Sequence, residues 1–261
     1  MSSLFDLTGK VAIVTGSTKG IGLAIATRMA EHGATVVISS RKPDACEAVA
    51  AGLRAKGGKA VVIPCHVGHK EQLQNLVDQT VAQCGGIDIL VENAAVNPYM
   101  GPAAGMPDDA FDRVLGTNIR SQVWLANMAI PPMVARGGGS VIIISSIGGL
   151  LGQPRIGAYG ISKAADMQVA RNIAVEWGPK NIRANAIAPG LVRTDFARAL
   201  WEDPVLYAKR TRYTPLQRIG EPDEIAGAAI FLASPAGSFT TGQTIVIDGG
   251  TTSGSVVQHD D

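Results

Sequence analysis

An α/β fold, a parallel sheet covered by helices on both faces, is the class that this 261-residue sequence predicts. Three observations carry the prediction. Short β-branched runs alternate with longer amphipathic stretches over nearly the whole length, the pattern of strand–helix–strand units. The strand-like runs are continuously apolar, as expected of strands buried on both faces. No Pro- or Ser-rich linker, internal repeat or low-complexity segment interrupts them, so a single domain is expected over residues 1–250, followed by a polar tail at 251–261.

Taken in order, Lys10–Thr15 (KVAIVT) reads as the first strand, and the glycine-rich stretch after it opens into an apolar-periodic helix at about 21–32. Ala34–Ser39 and Ala60–Pro64 read as the next two strands, with helices following at about 43–57 and 69–84. Ile87–Val91 is the fourth strand. A long helical pattern at about 108–135 comes next and starts at Pro107-Asp108-Asp109, where carboxylates meet the positive end of the helix dipole. Ser140–Ser145 is the fifth strand, followed by a helix at about 157–178, and Arg183–Ala188 is the sixth. Glu221-Pro222-Asp223-Glu224 opens a last helix at about 222–233, before the seventh strand, Thr244–Ile247. Residues 190–220 break this rhythm at the carboxyl end of a strand, where an insertion suggests a substrate lid.

Composition excludes several classes. With 46% hydrophobic and 17% charged residues the chain is no disordered segment. Its 23 basic and 22 acidic side chains leave a net charge of +1, too balanced for a general nucleic-acid binder. No apolar run approaches the ~18 residues that span a bilayer. The start, MSSLFDLTGK, does not read as a secretory signal, and the end, VVQHDD, carries no lipidation motif or peroxisomal tripeptide. Cys46, Cys65 and Cys84 are too few and too scattered for a disulfide framework or a metal site. A soluble protein of a reducing compartment, the cytoplasm, is expected, with no metal and no membrane or nucleic-acid partner. The 31 glycines are more than usual and announce tight turns or close backbone approaches.

One glycine cluster has the spacing of an anion site. Thr15-Gly16-Ser17-Thr18-Lys19-Gly20-Ile21-Gly22 joins the first strand to the first helix. Gly16 would permit the tight turn, Gly20 the approach of a pyrophosphate, and Gly22 close packing of helix on strand. The helix N-terminus adds N–H donors and a favourable dipole. After the second strand the chain reads Ser39-Ser40-Arg41-Lys42. A carboxylate there would grip the ribose diol of NAD. With Ser40 in its place, Arg41 and Lys19 can instead pair a 2′-phosphate, so NADP(H) is the expected cofactor.

Tyr159 and Lys163 are four residues apart, hence on one helix face. Ser146 ends the fifth strand thirteen residues before the tyrosine, and Asn118 lies in the preceding helix. In order and spacing, TGSTKGIG, Asn93-Ala94-Ala95, Asn118, Ser146, YGISK and Pro189-Gly190 resemble the short-chain dehydrogenase/reductase family over roughly residues 8–250. Finer stretches, VISSRK, GGIDILVENAAVNP and Leu200-Trp201, resemble its NADPH-dependent tetrameric carbonyl and retinal reductases.

The resemblance implies a Rossmann-type, doubly wound seven-stranded parallel sheet and hydride transfer between NADP(H) and a ketone, aldehyde or secondary alcohol. It makes Tyr159 the general acid/base, Ser146 the group that holds the substrate oxygen, and Lys163 the cation that eases phenol ionisation and binds the ribose. Asn118 would anchor a proton-relay water. Cofactor contacts are implied for Gly16, Ser17, Lys19, Gly20, Ile21 and Gly22, and for Ser40, Arg41, His66 and Val67. They are implied equally for Asn93, Ala94, Ala95, Tyr159, Lys163, Pro189, Gly190, Val192 and Thr194.

Departures from the family pattern stand at His66, where aspartate is common, and at Glu92, where asparagine is usual. An adenine-edge contact and an ordinary loop histidine are open readings for the first, and a local packing variant is expected of the second. Ser145 competes with Ser146, but the spacing favours Ser146. For Asn97 and Tyr99, lining of the substrate pocket and a simple loop are both open readings. Arg193, Arg198, Lys209, Arg210, Arg212 and Arg218 leave open a 3-oxoacyl carrier-protein reductase with a basic docking lid, while Phe196, Leu200 and Trp201 favour a lid over a bulky carbonyl compound. A non-catalytic NADP sensor is the remaining alternative. Small residues on the two long helices, Ala126, Ala129, Ala164, Ala165, Ala170 and Ala174, suggest close packing in a homotetramer.

Overall fold

The computed structural model describes residues 4–254, so most of the expected tail, from residue 255 on, lies outside the described residues. Seven strands form one parallel sheet: β1 (Val11–Thr15), β2 (Thr35–Ser39), β3 (Lys59–Val62), β4 (Ile89–Glu92), β5 (Gly139–Ile144), β6 (Ile182–Pro189) and β7 (Thr244–Ile247). Their spatial order is β3-β2-β1-β4-β5-β6-β7. The expected doubly wound sheet is thus present, with strand ends displaced by one or two residues.

Strand β1 shows why the apolar runs are continuous. Its Ala12 and Val14 enter one core, together with Ile25, Met29, Ile225 and Ile230 from helices on one face. Val11 and Ile13 enter the other core, with Leu73, Leu76, Ile130 and Met167. Both faces are dry, so both sets of side chains must be apolar.

On the first face lie α1 (Gly20–Glu31), α2 (Pro43–Ala55) and α9 (Pro222–Ala233). The second carries α3 (Lys70–Cys84), α5 (Ser121–Ala135) and α6 (Gly157–Trp177). Local chemistry sets the ends. Pro43 and Pro222 stand in the first turns of α2 and α9, and Glu221 and Glu224 form a reciprocal capping box. Gly85, at φ +79°, ends α3 in the left-handed conformation.

Two expectations need correction, and a third stretch gains its detail. The long helix at 108–135 is not uniform: α4 (Asp108–Leu115) passes through a π turn, Gly116–Arg120, before α5 begins. Residues 190–220, where a lid is expected, hold short helices, α7 (Arg198–Trp201) and α8 (Pro204–Thr211), after a 3₁₀ turn at Asp195–Ala197. Among the alanines assigned to subunit contacts, Ala126, Ala129, Ala170 and Ala174 are buried in the chain's own second core, because α5 and α6 turn those faces to the sheet. Ala164 is left exposed and Ala165 half-buried.

Among the described residues no helix is long and apolar enough to cross a membrane, and no group of His, Cys, Asp or Glu could hold a metal ion. The three cysteines are free.

Candidate active site

In the strand order, β1 and β4 are neighbours whose following connections run to opposite sides of the sheet. Ligands of such sheets bind in the crevice at that reversal, beyond the carboxyl ends of the strands. The glycine turn opens there. Gly16 and Gly20 hold φ of +66° and +56°, backbone that other residues rarely adopt. A Cβ on Gly22 would strike Asn93 Nδ2 and lie 2.5 Å from the Gly16 carbonyl oxygen.

Asn93 clasps this turn from β4. Its Nδ2 donates to the carbonyls of Thr15 (2.9 Å) and Gly16 (3.3 Å), while the backbone N–H groups of Asn93 and Ala94 donate to Thr15 Oγ1. Ser17 is buried and its Oγ accepts from the Ser39 N–H at 2.8 Å. Asn93 and Ser17 therefore shape the cradle by local bonds, and Ile21 packs partly buried against the first core. Thr194 enters from the start of the lid, where a Cβ on Gly20 would lie 3.1 Å from its methyl group. The bare, left-handed turn at a helix N-terminus fits a dinucleotide pyrophosphate.

The end of the crevice beside β2 is cationic. Arg41 and Lys19 are exposed and form no ion pair among the described residues, while Ser40 is half-buried against Cys46. Beyond β3, His66 Nδ1 accepts from the Gly68 N–H at 3.1 Å, so the imidazole proton sits on Nε2. Partial burial, then His69 and Arg41, lower the His66 pKa and keep the ring neutral. Val67 follows, half-buried.

At the other end, β5 stops where α6 begins. Ser145 is buried and donates to the Lys163 carbonyl at 2.7 Å, whereas Ser146 is half-buried and its Oγ accepts only a local bond, from the Gly148 N–H at 3.0 Å. A Cβ on Gly148 would lie 3.4 Å from Ser146 Oγ and 3.8 Å from Tyr159 Cε1. Serine and phenol thus converge beside Gly148, where Ile156 Cδ1 also lies 3.4 Å from that Cβ position. Lys163 Nζ lies 5.6 Å from the Tyr159 ring centre, and Phe196 of the lid reaches the same ring at 6.1 Å.

Asn118 is fully buried on the π turn. Its Nδ2 donates to the Val96 carbonyl and Ser162 Oγ, both at 3.0 Å, and its Oδ1 accepts from the Val96 N–H at 2.8 Å. It pins the loop after β4 to α6. Pro189 ends β6, Gly190 abuts Asp248 so closely that a Cβ would lie 2.8 Å from its Cα, and Val192 is buried beside Gly220. Asn97 and Tyr99 bond locally, Asn97 to Met100 Sδ and Tyr99 to the Pro102 carbonyl.

Sequence reasoning missed one partner. Lys163 is 1% exposed, and its Nζ donates to Asp166 Oδ2 at 2.8 Å and to the Ile144 carbonyl at 2.9 Å. The signal was an acid three residues beyond the lysine on a largely apolar helix face. Glu92, expected to be a packing variant, is 2% exposed close to this pair.

A family model described as enoyl-(acyl carrier protein) reductase matches residues 16–252. The dehydrogenase/reductase SDR family member 4 of Bos taurus is 42% identical over 95% of this chain and 88% of its own length. The chain belongs to the short-chain dehydrogenase/reductase family. The Sus scrofa form of that relative is 43% identical over the same shares. Among solved members of the family, a gluconate 5-dehydrogenase from Burkholderia cenocepacia in complex with NADP and tartrate superposes with a TM-score of 0.92 at 36% identity, covering 96% of this chain and 98% of that one. A 7α-hydroxysteroid dehydrogenase bound to NADH and 7-oxo glycochenodeoxycholic acid gives the same TM-score, identity and coverage. Membership makes the chain an oxidoreductase of the dehydrogenase/reductase type, and these neighbours carry NADP in one case and NADH in the other.

Proposed function

We propose that this oxidoreductase is an NADP(H)-dependent carbonyl reductase or alcohol dehydrogenase, with Tyr159 as its general acid/base. The observation that carries the reading is the convergence of Ser146 Oγ and the Tyr159 ring beside Gly148, with the Lys163 ammonium 5.6 Å from the ring centre. Bound NADP(H) would supply or take the hydride. Ser146 Oγ donates a hydrogen bond to the substrate oxygen and holds the carbonyl in line. Tyr159 then gives that oxygen its proton in reduction and removes it in oxidation. The Lys163 ammonium, 5.6 Å from the ring centre, stabilises the negative charge that develops on the Tyr159 oxygen as its proton leaves. Asn118 fixes the loop and helix between which the proton path runs.

For the cofactor, Gly16, Gly20, Gly22 and Thr194 cradle the pyrophosphate. Arg41 and Lys19 grip the 2′-phosphate, with Ser40 in place of a repelling carboxylate. Phe196 and Trp201 bring apolar surface to the lid, which favours a bulky carbonyl substrate. Docking of an acidic carrier protein is less favoured, because Arg193, Arg198 and Arg218 are already paired with Glu221, Asp195 and Glu224.

A homotetramer is part of the same reading. Val123, Ile161 and Val175 remain 38%, 56% and 82% exposed on α5 and α6, apolar surface that a second copy would cover. The free thiols accord with a reducing compartment such as the cytoplasm. A panel of ketones and aldehydes, followed by loss of NADPH absorbance, tests the activity. No turnover of any carbonyl by a folded, cofactor-binding protein would overturn it.

A further inference from the structure

Beside Tyr159, the protein buries three ionisable side chains that bear on one another. Lys163 and Asp166 on α6 are 1% and 0% exposed, and Glu92 at the end of β4 is 2% exposed. Gln122, from α5, is the neutral neighbour of Asp166, and β5 contributes the Ile144 carbonyl. The charged and titratable groups bearing on one another here are Tyr159, Lys163, Asp166 and Glu92.

We propose that Asp166 is a positioning residue for Lys163, holding its ammonium charged and tied to β5, and that Glu92 is protonated at neutral pH, leaving Asp166 as the anion of this cluster. The role of Lys163 in this inference rests on the function proposed above.

Hydrogen bonds favour that assignment. An ammonium has three N–H donors. Asp166 Oδ2 and the Ile144 carbonyl take two of them, which leaves one for the side of Tyr159 and the cofactor. A buried ammonium is strongly disfavoured without such a partner. Two buried carboxylates bearing on each other cannot both be ionised cheaply, and the one touching the cation keeps the charge. Glu92 has neither oxygen hydrogen-bonded among the described residues. The void beside it, between Thr15, Ala94 and Gln122, measures about 10 Å³, room for no more than a single water. Burial, and then the charge of Asp166, push the Glu92 carboxyl well above the ordinary carboxylate range. Burial also raises Asp166, to about 6 against the pull of Lys163, so it is ionised at neutral pH. Burial opposes the charge on Lys163, yet Asp166 and Tyr159 leave its pKa raised.

Two experiments test the proposal, the first without turnover. A folded Glu92 that keeps its proton, while the unfolded chain releases it above pH 4.5, makes a stability penalty that grows with pH. Glu92→Gln copies the neutral carboxyl and removes that penalty. Its melting temperature should therefore gain on the wild type between pH 5 and 8, the gap widening by about 3 °C or more. A gap that stays constant or closes would overturn the protonated Glu92.

In the second, kcat/KM for alcohol oxidation is followed against pH in Asp166→Asn. Without its counter-charge Lys163 releases its proton sooner, and the alkaline limb should fall by at least about one pH unit. Asp166→Glu should restore the limb. An unmoved limb in folded Asp166→Asn overturns the positioning role. If that variant does not fold, or no alcohol is oxidised, the wild-type lysine decides by ¹⁵N NMR, with its Nζ signal assigned through Lys163→Met. The ammonium form should persist past the ordinary value of 10.5, and titration below that overturns the pairing. Absent turnover with the stability and NMR results intact would overturn the reaction and leave the buried network standing.

Discussion

Tyr159 and Ser146 sit on different elements and meet because β5 ends beside the first turn of α6. Replacing the tyrosine alters one group: Tyr159→Phe keeps the ring that packs near Phe196 but has no proton to give. It should fold and bind cofactor while retaining less than roughly a tenth of wild-type kcat, a loss of more than about 1.4 kcal/mol of transition-state stabilisation. Stopped-flow or steady-state turnover on the best substrate of the panel checks this. The second prediction concerns charge at the adenosine end. NADPH exceeds NADH by one 2′-phosphate, and Arg41 offers it a planar fork of donors from an exposed position. Solvent screening reduces such a contact, so we expect at least roughly a tenfold preference for NADPH, about 1.4 kcal/mol. Arg41→Ala should raise KM for NADPH and leave NADH nearly unchanged, and Ser40→Asp should invert the preference. Equal kcat/KM for the two cofactors in the wild type would refute this. Tyr159, Lys163, Ser146 and Asn118 were legible in the sequence as a set, through their resemblance to the family motifs, while helix spacing by itself related only Tyr159 to Lys163. Asp166 and Glu92 were not, since a buried charge is recognised by what surrounds it, and its neighbours come from other elements.

Two glycines in helices show how far context decides an element's behaviour. Gly22, in α1, lies so close to Asn93 and the Gly16 carbonyl that a methyl group has nowhere to go. Gly22→Ala should destabilise the fold by about 1–3 kcal/mol and weaken cofactor binding, because the turn must shift to relieve the overlap. Gly52 lies on an exposed stretch of α2, and a methyl group there would meet nothing within 4 Å. Gly52→Ala should raise stability by roughly 0.5–1 kcal/mol, since it lowers the entropy lost on forming the helix. Urea titration of the two variants provides the check, and the same sign for both would contradict it. The π turn at Gly116–Arg120 belongs here too. Amphipathic periodicity finds the helix over 108–135 but cannot show one widened turn within it. That turn places Asn118 against the loop after β4.

The parallel sheet brings every strand's carboxyl end to one rim, so residues from β1, β4, β5 and β6 converge there although the chain separates them widely. Apolar residues left outside both cores, Ile161 and Val175 foremost, form the surface on which we expect subunits to meet. Light scattering should report a homotetramer at micromolar concentration, and Ile161→Glu combined with Val175→Glu should reduce the assembly. A wild-type monomer would remove the basis for that expectation. By itself the sequence determined the alternation of elements, the parallel sheet and the glycine turn, because these depend on local propensity and short periodic spacing, whereas the serine–tyrosine–lysine set was read from its resemblance to the family motifs. The inward alanines, the ion-paired lid arginines and the buried Glu92–Asp166–Lys163 network were decided by the tertiary structure alone. Burial and pairing are properties of the space between elements, and only packing the helices on the sheet defines that space.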